Sequence, residues 1–523
     1  MSKEAPSGAT GSGGAVPPWL VYLPLVLGNF MAVLDIQIVG SSINELEAGL
    51  SASADEIQWI QTSYLIAEII GIPLSGYLSR MLSTRVYFTI ATLGFTAASA
   101  ACACSWSLSS MIVFRVLQGF LGGGMIPTAF AGLYLIFPLD KRGGAVALVG
   151  MTSMLAPVMG PTVGGYLTAA TSWHWMFLIN VGPGLAAAYL TWKWVHIDRP
   201  RPEMLKQIDF PGLVLMAIFL GCFEYSLDEG PRHDWFSDSS VAVCVVLCAL
   251  GGAAFFWRTL RIEHPIVDLH SFRNRNFAIG SLISGVIGLS VYSLMYLTPV
   301  FLGEVRLYNP LQIGHIMMVQ GITMMFVAPL VGWLARFVDP RVLMGIGLGG
   351  LTLGCWMNSD MTAEWGFDQY VLPLVLRGAG VICCYIPMTD LALGTLPSEE
   401  LKNASGLYSL MRNIGGAIGL ALLAVLMNQR TWLHWQQLAE ATSASRESVR
   451  EALGGIGSVL HPAMGDYSQA GAIGVLARQA MQQARTMTFN DMNYLLSLSL
   501  LLTLPLLLLI AKPKVHVEAE GIH

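Results

Sequence analysis

Charge is what this chain has least of. Only 12% of its 523 residues are Asp, Glu, Lys or Arg, against roughly 25% in soluble domains. Hydrophobic residues make up 54%, and the mean hydropathy is +0.60. That balance excludes a large soluble enzyme. A cysteine framework is also lacking. Cys102, Cys104, Cys222, Cys244, Cys248, Cys355, Cys383 and Cys384 fall in or at the ends of apolar stretches, without metal-ligand spacing, and read as small apolar packing residues. No HExxH, GxSxG or spaced Cys/His group occurs, so no catalytic residue, metal or bound cofactor is expected. Residues 1–17 are rich in Gly, Ser and Ala, which reads as a disordered tail without a cleavable signal.

What the chain has in abundance is long apolar runs. Stretches of about 18 to 25 residues, enough to cross a bilayer, begin near Trp19, Ile57, Val86, Leu108, Gly143, Trp175, Asp209, Ser239, Phe277, Leu311, Arg341, Phe367, Ala404 and Asp491. These fourteen candidate spans put both termini on one side. With the termini inside, the inner tails and loops carry 18 Lys and Arg and the short outer loops only 2, Arg232 and Arg306. The expectation is therefore cytoplasmic termini, and in a bacterium an inner-membrane, multi-pass protein.

An internal repeat orders the spans. Gly76-Tyr-Leu-Ser-Arg80, with Arg85 following, matches Gly332-Trp-Leu-Ala-Arg336, with Arg341 at the same offset, 256 residues on. Gly119, Pro138, Ala145 and Gly160 meet Gly378, Pro397, Ala404 and Gly419 at 259. The expected architecture is an all-α polytopic membrane protein. It has an N-terminal six-helix bundle (18–195), a two-helix insert with its linkers (196–275) and a C-terminal six-helix bundle (276–511). A polar outer segment at 429–490 belongs to the last bundle, and a tail follows at 512–523. Such repeats mark alternating-access transporters, with the substrate site between the halves.

Within the fifth span, Ala156-Pro-Val-Met-Gly-Pro-Thr-Val-Gly-Gly165 places Pro157, Gly160, Pro161, Gly164 and Gly165 in one apolar run. Proline and glycine weaken a helix interior, so this segment is expected to bend or to be closely approached by a neighbour. Its repeat counterpart, Gly415-Gly-Ala-Ile-Gly419, keeps glycines but has no proline.

These residues resemble the fourteen-span drug/proton antiporters of the major facilitator superfamily, in its EmrB-like branch. The likeness is carried by Leu27-Gly-Asn-Phe-Met-Ala-Val-Leu-Asp35, Phe114-Arg-Val-Leu-Gln-Gly119, Gly160-Pro-Thr-Val-Gly-Gly165 and Trp173-His-Trp-Met-Phe-Leu-Ile-Asn180. Leu227-Asp-Glu-Gly230 with Asp234-Trp-Phe236 adds to it. The resemblance implies the major facilitator fold and export of lipophilic or amphipathic compounds driven by proton entry, with no cofactor but the proton gradient. The fifth span is implied as the antiport element. Implied partners are small lipophilic substrates, a periplasmic membrane-fusion adaptor and an outer-membrane channel; no nucleic acid is expected. The alternatives are a proton-coupled transporter of a specific metabolite or fatty acid-like amphiphile, and a non-transporting membrane sensor. The loop after span two departs from the family form Gly-x-Leu-Ala-Asp-Arg-x-Gly-Arg. Arg80 stands at the Asp position and Ser83 at the second Gly, which removes the usual Asp-centred gating pair.

Proton coupling needs a carboxylate that is neutral in one state and ionised in another. Asp35 and Glu68, with Arg115 as their basic partner, are expected to form that network, because an ionised group at bilayer depth must find a partner. Glu224 in the insert, Tyr292, Tyr296, Met318, Arg377 and Arg412 are candidates for the substrate cavity; the tyrosines and methionines offer soft contacts to varied apolar ligands. Gly76, Arg80, Arg85, Gly332, Arg336 and Arg341 are the candidate gating loops.

Overall fold

The computed structural model describes residues 16–41, 43–335, 337–442 and 446–510. The expected tails fall outside the described residues, apart from 16 and 17. Every regular element among the described residues is helical.

Twelve of the described spans are long and apolar enough to cross a membrane. They include α1 (Pro18–Ser41), α2 (Trp59–Leu82), α3 (Thr84–Ala103) and α4 (Leu108–Ile136, interrupted at Gly124). The fifth expected position is filled by α5 (Leu139–Ala170). The sixth is filled by α6, which is broken into His174–Leu178 and Val181–Trp194 and so is not the single helix expected. The insert is α7 (Phe210–Glu229) and α8 (Ser239–Thr259). There follow α9 (Arg275–Glu304), α10 (Pro310–Leu334), α11 (Pro340–Met357), α12 (Phe367–Leu393), α13 (Leu401–Ala441) and α14 (Ser468–Thr503).

Local chemistry sets the helix starts. Asp238 accepts from the backbone N–H of Ser240 and Val241 at the head of α8, and these donors hold its carboxyl below the usual range. Asn309 and Gln312 form a capping box at α10, with Pro310 in the first turn. Interior prolines, Pro24, Pro73, Pro299, Pro329, Pro373 and Pro387, leave their helices unbroken, as packed membrane helices allow.

The repeat is visible in the packing. In the first half α1 packs on α5, α2 on α4 and α3 on α6; in the second, α9 packs on α13, α10 on α12 and α11 on α14. The halves meet along two equivalent seams, α2 against α13 and α5 against α10. Insert helix α7 packs on α2 and also reaches α13, while α8 packs on α7. The best apolar window of α8 is only 22% buried, which puts this helix on the lipid-facing periphery. The face that holds Pro18, Leu82, Ile136, Leu334 and Leu401 is called here the terminal face, and the opposite one the distal face.

The polar outer segment is largely helical. At 1.5 Å per residue the 41 residues of α13 extend about 60 Å, twice the roughly 30 Å of a hydrocarbon core. This helix therefore projects beyond the distal face. There it is joined by an amphipathic helix, Glu447–Met464, and by the first turns of α14.

Candidate functional site

The first bundle holds a closed polar cluster. Asp35 of α1 and Arg115 of α4 are fully buried and form an ion pair, Nη1 to Oδ2 at 2.6 Å. Arg115 also donates from Nε to the Ile60 carbonyl (3.2 Å) and from Nη1 to Gln118 Oε1 (2.8 Å). Gln118 Nε2 and Asn180 Nδ2 both donate to Asp35 Oδ1, at 2.9 and 2.7 Å. Asn180 continues to Ser99, whose hydroxyl donates to the Phe177 carbonyl. Arg115 Nη2 has no hydrogen-bond partner; instead the guanidinium lies over the Tyr64 ring, 4.1 Å from its centroid.

Small residues make this geometry possible. A Cβ at Gly119 would stand 2.3 Å from the Tyr64 carbonyl oxygen, and one at Gly123 would stand 2.5 Å from that of Glu68. Glycine at i and i+4 on α4 thus lets α2 approach to backbone contact, bringing Tyr64 over Arg115.

Glu68 does not join the cluster. It is buried on α2, its Oε1 has no partner, and it faces a cavity between the two halves. The expected three-residue network is therefore two sites, an ion pair (Asp35–Arg115) and, apart from it, Glu68 on a cavity wall.

That cavity, of about 610 Å³, is lined by α1, α2, α7, α9, α10 and α13. Its walls hold Glu68, Glu224, Tyr292 and Tyr296 together with the amides of Gln37, Gln61 and Asn413. Tyr292 donates to Asn413 Oδ1 at 3.2 Å. The lining runs from mid-bilayer depth to the distal ends of the helices, with Gly40, Gln58, Pro299 and Ile313 at the far rim.

Three expected cavity residues lie elsewhere. Met318 is 40% exposed and is not in the lining; Met295 is the methionine that is. The four methionines of α10 split by helical phase, with Met317 and Met324 buried and Met318 and Met325 exposed. Arg377 is fully buried against α9, donating to Thr298 Oγ1 (2.9 Å) and to the Leu294 carbonyl (3.1 Å). Arg412 is buried too, hydrogen-bonded to the Tyr385 hydroxyl, with its guanidinium 5.9 Å from the Phe130 ring centroid.

The fifth-span motif does not interrupt its helix. α5 is continuous over Leu139–Ala170, so Pro157 and Pro161 do not break it; the side chains of these two prolines lie outside what is described. The close approach is present. A Cβ at Gly160 would stand 2.4 Å from Gln37 Cβ on α1, directly behind a residue of the cavity wall. Gly164 is buried, and the carbonyls of Gly164 and Gly165 accept from the Thr168 hydroxyl at 2.9 and 3.2 Å.

The two halves close against each other at the terminal face. A Cβ at Gly76 would stand 2.7 Å from the Lys402 carbonyl oxygen, and one at Gly332 would stand 2.9 Å from that of Gly143. Lys402 pairs with Asp198 and donates to the Ser79 carbonyl at 2.8 Å. Among the described residues, Arg80 and Arg85 of the first copy of the loop make no bond across the seam. Arg80 bonds its own helix at the Gly76 carbonyl (3.2 Å), and Arg85 meets His196 (2.6 Å) and stacks on Trp192. The backbone of Arg341 caps on Asp339, and Arg336 lies outside the described residues.

Four functional candidates escaped the reading of the sequence. Gln118, Asn180 and Lys402 are polar side chains at helix ends or inside quoted motifs, and Asp198 sits in a linker. The one available signal was the position of Gln118, three residues and so one helical turn after Arg115.

Two bundles related by a repeat, closed at one face, with a cavity lined by two buried acids between them, define a membrane transporter of the two-bundle class. The chain belongs to the Major Facilitator Superfamily, whose family model matches residues 25–420, and to its EmrB-like branch. It is 44% identical to the colistin resistance protein EmrB of Acinetobacter baumannii over 93% of this chain and 94% of that protein. It is 31% identical to the multidrug export protein EmrB of Escherichia coli strain K12, over 94% and 95% of the two chains. The fold also matches the proton:xylose symporter XylE at a TM-score of 0.56 and 13% identity, over 92% of this chain and 94% of that one.

Proposed function

We propose that this protein is a proton-driven exporter of lipophilic and amphipathic compounds, working by alternating access. The observation that carries this reading is the pair of acids in one bundle. Asp35 is held by Arg115, Gln118 and Asn180, while Glu68 is unpartnered at the wall of the cavity between the halves. Protonating Asp35 removes the charge that Arg115 balances and frees the guanidinium to seek another oxygen. A buried ion pair broken on one side costs about 3 kcal/mol or more, enough to bias a two-state equilibrium by about a hundredfold. Glu68 and Glu224 both line the cavity, and Glu68 is the one carried by the bundle that holds Asp35. The export relatives named above support the direction of transport.

The same reading places the protein in the bacterial inner membrane with both termini cytoplasmic, as the distribution of Lys and Arg favours. The distal face is then periplasmic, and the helical projection of α13, Glu447–Met464 and α14 is the docking surface for a membrane-fusion adaptor leading to an outer-membrane channel. Exposed Trp432, Leu433, Val459 and Tyr467 on that projection suit such a contact.

The test uses everted vesicles loaded by respiration. Asp35→Asn and Glu68→Gln should each abolish substrate-induced proton release while the protein still inserts at the wild-type level. Undiminished exchange in both variants would sink the proposal. Substrate uptake into right-side-out cells, stimulated by an inward proton gradient, would favour the metabolite importer instead.

A further inference from the structure

The insert lies outside both repeats, yet α7 is wedged against α2 of one bundle and reaches α13 of the other. Three acids lie on its distal half. Asp228 accepts from the Thr62 hydroxyl, and Glu229 pairs with Arg232 (2.9 Å) and meets His233 (3.3 Å). Glu224, one turn deeper, is buried and lines the cavity, and no basic side chain among the described residues pairs with it. On the α2 wall Glu68 is likewise buried and lines the same space, its Oε1 without a partner.

The rest of the lining complements those two carboxyls. Among the described residues it contains no Lys, Arg or His. The nearby cations are engaged elsewhere, Arg115 with Asp35 and Arg412 with Tyr385. Tyr292 and Tyr296 place two aromatic rings in the lining, and Ile36, Leu65, Met295, Val300 and Leu420 supply the apolar surface. Carboxylates, aromatic faces and apolar walls without a fixed positive charge attract a lipophilic cation and repel a lipophilic anion.

We propose that α7 is a working wall of the transport cavity and that Glu224, with Glu68, selects substrates carrying a cationic group on an apolar body. This rests on the export reading above and specifies the charge of what is exported. The insert is then a specificity element added to a twelve-helix transporter. The same chemistry disfavours carboxylate amphiphiles such as fatty acid anions, which would enter a space already holding two acids.

The experiment uses tetraphenylphosphonium and tetraphenylborate, a cation and an anion of nearly the same size and shape. Binding to the purified full-length protein is measured by equilibrium dialysis, and substrate-induced proton release is measured in everted vesicles with these two and with a neutral lipophilic dye. The wild type should bind the phosphonium at least about tenfold more tightly than the borate, beyond what the two bind to empty detergent micelles. Glu224→Gln should cut that preference by roughly tenfold, the worth of one charge-assisted contact. Glu224→Asp should restore most of it, and Glu224→Lys should invert it. A substitution on lipid-facing α8, Val243→Ala, should leave the preference unchanged. An unaltered preference in properly inserted Glu224→Gln and Glu224→Lys proteins would overturn the proposal, as would a wild type that favours the borate. Proton release with the neutral dye but no phosphonium preference would refute only this inference. No release with any of the three probes would refute the export reading itself.

Discussion

The two seams that close the terminal face have the same backbone and different chemistry. Along α2–α13, Gly76 meets the backbone of Lys402 and Asn403; along α5–α10, Gly332 meets Gly143 and Ala147. At the repeat offset of 259, Gly143 corresponds to Lys402 and Gly144 to Asn403. One seam therefore carries two polar side chains where the other carries two hydrogens. Lys402 reaches Asp198 and the Ser79 carbonyl, and Asn403 exchanges two hydrogen bonds with the backbone of Asp268, at 2.6 and 3.1 Å. Across α5–α10 no side-chain hydrogen bond is recorded among the described residues.

This difference accounts for the departure at Arg80. The loop after α2 lacks its acid, and Asp198, from the linker that follows α6, supplies one. Both Asp198 oxygens accept from the Thr84 backbone N–H at 3.0 Å, so the carboxylate sits at the positive end of α3 while pairing with Lys402 of the opposite half. The ion pair spans the halves at a site where opening must break it. The bare seam offers only glycine contact, which resists nothing but compression.

The largest effects should come from filling the contacts the seams share. Gly76→Leu and Gly332→Leu each put a side chain into backbone carbonyl oxygens less than 3 Å from the new Cβ, which the closed terminal face cannot absorb. Both should reduce substrate-induced proton release in vesicles to about a tenth or less. A tolerated Gly332→Leu beside an inactive Gly76→Leu would break the equivalence of the seams.

A smaller, directional effect is expected from the polar seam alone. Lys402→Met removes the ion pair and the bond to Ser79, both partly or wholly buried, and should weaken the closed terminal face by about 2 kcal/mol. Thr389 is buried just inside that face on α12 and is bonded to the Tyr408 hydroxyl. Thr389→Cys should then label with a maleimide roughly ten to thirty times faster from the terminal side. Asp198→Asn should do the same, and the double variant should add little to either. Additive effects, or labelling at the parent rate, would show that the pair does not hold the face shut.

How much of this the sequence disclosed depended on cost. An ionised residue in an apolar run is so expensive that its position alone announces it, and Asp35, Glu68 and Arg115 were legible for that reason. Neutral amides cost far less; Gln118 had only its place one turn after Arg115 to mark it, and nothing set Asn180 apart until its geometry placed it on Asp35. Lys402 and Asp198 are 204 residues apart, each in a polar stretch where a charge is unremarked, so their pairing belongs to the tertiary structure. The span pattern was readable because hydrophobic length is a strong signal, with one loss at α6, where the break at Ile179 and Asn180 turns Asn180 toward Asp35. Met318 failed because α10 is apolar all round, and such a helix does not reveal which stripe faces the cavity.

The smallest expected effect separates the buried arginines of the two bundles. Arg115 meets a carboxylate, whereas Arg377, equally buried, bonds only the Thr298 hydroxyl and the Leu294 carbonyl, and no acid pairs with it among the described residues. A cation held only by neutral oxygens fastens α12 to α9 but has no carboxylate to exchange protons with. Arg377→Gln keeps a polar amide at this position but removes the Nη atoms that make both bonds. It should lower the thermal midpoint of the purified protein by a few degrees, about 1 kcal/mol, and leave proton release within twofold of wild type. Arg115→Gln, which strands the Asp35 charge, should instead abolish coupling. If Arg377→Gln uncoupled transport as completely as Arg115→Gln, the second bundle would also carry protons, and the chemical asymmetry between the halves would be one of partners without being one of roles.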